Sequence, residues 1–108
     1  MIMVVFRSRN RPGADLAEYA RRSKRMRELV EQHPGFISIE NFESPDGEEL
    51  SLEIFENDES VKAWRANPEH RDTQRWAREE LYSWYSVTVG EVIRSHATDL
   101  MAPTASTV

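Results

Sequence analysis

The segment VKAWRANPEHRDTQ, residues 61–74, sets a tryptophan and a histidine on either side of a helix break. Trp64 closes one short helix. Asn67 and Pro68 open the next, because asparagine is a favoured N-cap and proline suits a first helical position, where its missing N–H would have no partner. An indole wall and an imidazole are thereby held around one short corner, a plausible lining for a small-molecule pocket. The plainer readings are that Trp64 is core and that His70, beside Glu69, Arg71 and Asp72, is a solvated residue of a helix start.

Composition narrows the chemistry further. The chain has no cysteine, which excludes disulfides, thiolate metal sites and a cysteine nucleophile. His33, His70 and His96 are separated by whole elements, without a ligand-spaced carboxylate beside them, so no metal site is expected. Neither a G-x-G-x-x-G turn nor a phosphate loop is present, which leaves nucleotide cofactors without support. A formal charge of −5 argues against nucleic-acid or anionic-membrane partners, since phosphate binding needs a basic surface. Arg21, Arg22, Lys24, Arg25 and Arg27 cluster, but among Glu18, Glu28 and Glu31 they read as a solvated helix face. No apolar run approaches membrane-spanning length and the chain starts directly on a strand-like segment, so a cytoplasmic protein is expected.

With 108 residues, 39% hydrophobic and 31% charged, one domain is expected over residues 1–94, followed by a C-terminal tail, 95–108. Ile2 to Ser8 reads as a strand ending in the turn Arg11-Pro12-Gly13. Leu16, Tyr19, Ala20, Met26, Leu29 and Val30 follow a helical period over residues 14–32, stopped by Pro34 and Gly35. A hairpin follows, Phe36 to Ser44 and Leu50 to Glu56, around the turn Pro45-Asp46-Gly47. Asn57 or Asp58 caps a short helix ending near Ala66, a second runs from Pro68 to about Leu81, and Tyr85 to Arg94 makes a fourth strand. The order β-α-β-β-α-α-β is a ferredoxin-like split βαβ of the α+β class, a four-stranded antiparallel sheet with helices on one face.

Both faces of the hairpin carry large apolar residues: Phe36 and Phe42 against Ile37 and Ile39 on one strand, Leu50, Leu52 and Ile54 against Phe55 on the other. Helices on one side would leave the opposite face exposed. A homodimer packed face to face through the sheets is therefore expected.

The first strand ending in R-P-G, the segment HPGFISIE, the run EIFENDESVKAWR, the PEHR-x-x-Q segment and Y-x-V-x-V-G-E-V together resemble the antibiotic biosynthesis monooxygenase family over roughly residues 1–94. The resemblance implies a dimeric α/β barrel. It also implies a monooxygenase as the leading activity, with two chemistries in the family bearing on these residues. In one, a cofactor-independent enzyme holds an electron-rich polycyclic or hydroxylated aromatic between sheet and helices, deprotonates it and lets it react directly with O2. Trp64 would then be a cavity wall with Phe6, Trp76 and Trp84. His70, its cationic form disfavoured by the helix dipole, would be base or substrate hydrogen-bond partner. Arg7 or Arg9 would stabilise an oxyanion, with one of the pair expected to face the helices. The other chemistry is heme degradation, which uses an asparagine on the first strand and an axial histidine. Phe6 stands where that asparagine belongs, and the axial ligand falls near Gln74, one turn past His70, so heme is disfavoured. A non-catalytic small-molecule-binding or structural dimer is the alternative of a different class.

Overall fold

Side-chain caps set where the helices begin. The Asp15 carboxylate accepts from the Glu18 N–H at 3.0 Å, so the first helix starts at Leu16 rather than at Ala14. Asn57, not Asp58, caps the second helix by accepting from Ser60 N–H at 2.8 Å. The Asn67 side chain accepts from both Glu69 and His70 N–H groups at 2.9 and 3.1 Å, which starts the third helix and orients the backbone that carries His70.

In the computed structural model, which describes residues 1–101, the chain runs β1 (Ile2–Asn10), α1 (Leu16–Glu31), β2 (Phe36–Glu43), β3 (Glu49–Phe55), α2 (Asp58–Ala66), α3 (Pro68–Trp76), a π-helical turn (Ala77–Leu81) and β4 (Tyr82–Glu91). The strands form one antiparallel sheet in the order β2-β3-β1-β4. This is the ferredoxin-like α+β fold expected from the order of elements, with its second helical segment broken at Asn67. Residues 102–108 of the expected tail lie outside the described residues.

The last strand begins three residues earlier than the alternation predicts. Arg11 N–H donates to the Leu81 carbonyl at 2.7 Å, and the Arg11 guanidinium donates to the carbonyls of Tyr82 and Arg78, both at 2.8 Å. These bonds take up the carbonyls left at the end of the helical segment. The wider π turn buries Ala77 and Leu81, and Tyr82 pairs at once with Asn10.

A small core of Val4, Val30, Phe55, Val61 and Trp64 lies between the sheet and the helices, joined by Met26, Leu29, Phe36 and Ile39. The tight entry into β2 needs Gly35. Its φ of 86° belongs to the left-handed region, and a Cβ there would collide with the Ser60 side chain, which donates to the Pro34 carbonyl at 2.8 Å.

Candidate active site

Strand alternation and register decide which side chains meet the helices. Val4, Phe6 and Ser8 of β1 share one face with Ser51, Glu53 and Phe55 of β3 and with Tyr85, Val87 and Val89 of β4. In β3 this is the polar side of the alternation. Its apolar side, with Leu52 and Ile54 paired to Val5 and Met3, points away from the helices. Between the helix-facing side and α1, α2 and α3 lies a cleft of about 1380 Å³.

Trp64 and His70 form one wall of it, stacked with ring centroids 4.4 Å apart and planes at 29°. Trp64 is also core: it is 5% exposed, and its ring centroid lies 5.6 Å from that of His33. Burial drives the His70 pKa down to about 4, only partly opposed by the nearby Trp64 backbone. The ring is therefore neutral at physiological pH. The cause is desolvation by the indole and its neighbours, where the sequence pointed to the helix dipole. Nδ1 of His70 is buried with no hydrogen-bond partner among the described residues.

Phe6 lies flat against Tyr85, with centroids 5.7 Å apart and planes at 10°, and both rings meet Tyr82 at 5.6 Å. These three rings pave the floor at the β1–β4 end, and Trp76 lines the cleft near them with the Arg22 guanidinium 4.8 Å over its ring. Tyr19 donates to Glu49 Oε2 at 2.5 Å, and burial together with that carboxylate raises its pKa. Burial pushes Tyr82 up to about 12. Glu53 on the same floor is pushed up to about 7, and desolvation is the sole cause. Tyr82, Tyr85 and Glu53 are not among the site residues expected from the sequence. The alternation of β4 groups Tyr85 with Val87 and Val89, and the pairing of Tyr85 with Ser8 of β1 turns that set toward the helices.

Arg7, Arg9 and Trp84 are not brought to the cleft. The expectation that one arginine faces the helices is corrected by the period of two itself: residues 7 and 9 share a face, and Phe6 and Ser8 occupy the inner one. Arg7 donates to Glu48 at 2.8 Å, Arg9 pairs with Asp46 at 2.8 Å, and the Arg7 guanidinium lies 5.4 Å over the Trp84 ring. Both cations are held on the outer face. Trp84 pairs with Arg9 in register and is turned outward because Tyr85 is turned inward.

The family model for antibiotic biosynthesis monooxygenases matches residues 1–76. The chain belongs to the antibiotic biosynthesis monooxygenase family. It is 28% identical over 76 residues to the uncharacterized protein YqjZ of Bacillus subtilis, covering 70% of this chain and 67% of that protein. The fold is similar to that of Rv0793 from Mycobacterium tuberculosis, with a TM-score of 0.78 at 24% identity over 89% of this chain and 98% of that one. It is also similar to a mutant of SnoaB, a cofactor-independent oxygenase from Streptomyces nogalater, with a TM-score of 0.72 at 12% identity over 87% and 94% of the two chains. At these identities the two structures attest the fold of the family.

Proposed function

We propose that the cleft oxidises an electron-rich, hydroxylated polycyclic aromatic with O2 and that the substrate itself supplies the electrons. The observation that carries this reading is the concurrence, in one cleft, of an aromatic floor with titratable groups stripped of water: Phe6, Tyr82 and Tyr85 beside His70 and Glu53. Flat rings accept a flat substrate, and desolvated groups are the ones able to move or hold its protons. For a naphthol the reaction balances as phenol plus O2 giving quinone plus water. The ring C–H becomes C=O, the substrate gives up four electrons, one oxygen atom stays in the product and the other leaves as water.

In this scheme His70 is a hydrogen-bond partner of a substrate oxygen. A pKa near 4 makes its ring a poor acceptor for a phenolic proton, since efficient bases lie near the working pH. Trp64 gives the substrate a rigid wall and holds the imidazole plane. The same site suits heme degradation poorly: Phe6 is committed to the aromatic floor, and the residue one turn past His70 is Gln74.

The outer sheet face, with Met3, Val5, Leu52 and Ile54, is proposed to pack on a second copy, rimmed by the Arg7–Glu48 and Arg9–Asp46 pairs. Oxygen-electrode assays with a panel of hydroxylated naphthalenes and anthracenes test the chemistry. The wild type is expected to consume O2 and His70→Ala to lower the rate about tenfold, as loss of a hydrogen bond to a charged oxygen does. Binding of the panel without O2 consumption would replace the oxygenase by a non-catalytic small-molecule-binding dimer.

A further inference from the structure

Glu53 stands in the middle of β3, opposite Val4 of β1 and Ile39 of β2. Both neighbours are apolar members or associates of the core. Glu49, four residues earlier on the same face, is engaged by the Tyr19 hydroxyl at 2.5 Å. The half-buried Glu53 carboxyl has no hydrogen bond or ion pair among the described residues, and it lines the cleft. Even partial burial of an unpartnered carboxyl costs stability, and a leucine or valine at this position would extend the apolar stripe without that cost. A carboxyl placed so is waiting for a donor that enters through the cleft.

We propose that Glu53 receives the phenolic hydroxyl of the substrate on the sheet floor and takes its proton. This rests on reading the cleft as an aromatic oxygenase site, and it names the substrate class as phenols whose hydroxyl reaches the sheet. In the step the phenolic O–H bond breaks, its electron pair stays on oxygen as phenolate, and the proton forms an O–H bond on the Glu53 carboxyl. The phenolate is then the species that donates electrons to O2. A carboxyl pushed up to about 7 is matched to this task near neutral pH. The charged and titratable groups around the cleft leave the window between about pH 5.5 and about pH 8.5 to Glu53. Tyr19 and Tyr82 are held protonated by burial and His70 is already neutral; the other charged groups lining the cleft are Arg22 and Arg27 of α1, Arg65 of α2, Arg71, Asp72 and Arg75 of α3, Arg78 of the π turn, Glu43 of β2, and Glu49, which is bonded to Tyr19.

Equilibrium dialysis of 1-naphthol and of naphthalene across that window tests the proposal on wild type and Glu53→Gln. Both ligands stay neutral, so any pH step belongs to the protein. Wild type is expected to bind 1-naphthol about fivefold more tightly as pH rises through 7, because a carboxylate is a stronger acceptor than a carboxylic acid. Naphthalene binding is expected to be flat, and so is 1-naphthol binding to Glu53→Gln. The same step in Glu53→Gln, or no step in wild type while both ligands bind, overturns the role of Glu53 and leaves the cleft reading intact. Failure of wild type to bind either ligand overturns both. Carbon-13 carboxyl NMR of the wild type gives a readout free of any folding defect in the variant: a resonance titrating near pH 7 is expected to move with 1-naphthol and not with naphthalene, and its absence overturns the proposal.

Discussion

His70 and Glu53 feel the same desolvation with opposite consequences for stability. The folded state holds His70 at about 4 against an ordinary 6.5, so the unfolded chain binds its proton more readily. The stability that accompanies the neutral ring is complete above pH 6.5 and is lost as pH falls toward 4. Glu53 is held at about 7 against 4.5, so its contribution is complete below pH 4.5 and is lost as pH rises through 7. Between pH 4.5 and 6.5 the two slopes oppose each other, and stability is expected to be nearly flat there. Urea unfolding at pH 5 and pH 8 checks the sign: Glu53→Gln is expected to gain on wild type by about 3 kcal/mol more at pH 8 than at pH 5. An equal difference at both values would show that Glu53 does not titrate in this range. Trp64 belongs to the core as well as to the wall. Trp64→Ala is expected to destabilise by about 3–5 kcal/mol, so loss of activity in that variant reads on function only if the melting curve shows it folded.

At the scale of elements, the functional corner depends on one amide. Asn67 caps α3 through two N–H groups, one of them that of His70. Asn67→Ala is expected to cost about 1 kcal/mol and also to loosen His70 against Trp64, seen as a rise in its imidazole pKa by proton NMR. An unchanged His70 titration would mean that the indole stack alone positions the ring. A second joint is the passage from α1 into β2. Gly35→Ala puts a Cβ against Ser60 at a positive φ and is expected to destabilise by about 1–3 kcal/mol, measurable in thermal melts. The seam between α1 and α3 is different, since it is bridged by exposed pairs. Arg25 binds Glu69 through two bonds of 2.9 Å and Arg22 reaches Asp72 at 3.4 Å. Exposed pairs of this kind contribute little and are screened by salt, so this seam is the one expected to loosen with salt.

For the molecule as a whole, the sheet leaves large apolar groups on the side the helices do not cover, and β3 is more apolar there than on its covered side. A face carrying Met3, Val5, Leu52 and Ile54 beside a 43% exposed Trp84 is built to be covered. Sedimentation at micromolar concentration is expected to give a species of twice 12.6 kDa, and Leu52→Glu is expected to shift it toward the monomer. A wild type that sediments at 12.6 kDa would remove the dimer. Among the described residues no helix is long and apolar enough to cross a membrane.

What the sequence determined by itself was local: the order of elements, the helix break at Asn67 and Pro68, and the pairing of an indole with an imidazole around it. Each follows from caps, turn residues and side-chain period, which act within a few residues. Family membership was legible too, because its motifs sit on those same turns and strands. Three features were decided only by the tertiary structure. The end of the last helix and the start of β4 are set by Arg11, more than sixty residues away in sequence, through its bonds to Arg78, Leu81 and Tyr82. The choice of sheet face put Arg7, Arg9 and Trp84 outside the cleft, since a period of two says which residues share a face but not which face the helices cover. Glu53 escaped notice for the same reason. In Glu49–Phe55 it belongs to the polar set that alternation assigns to solvent, and only the packing of the helices over that set turns an ordinary surface glutamate into a half-buried carboxyl whose pKa is pushed up to about 7.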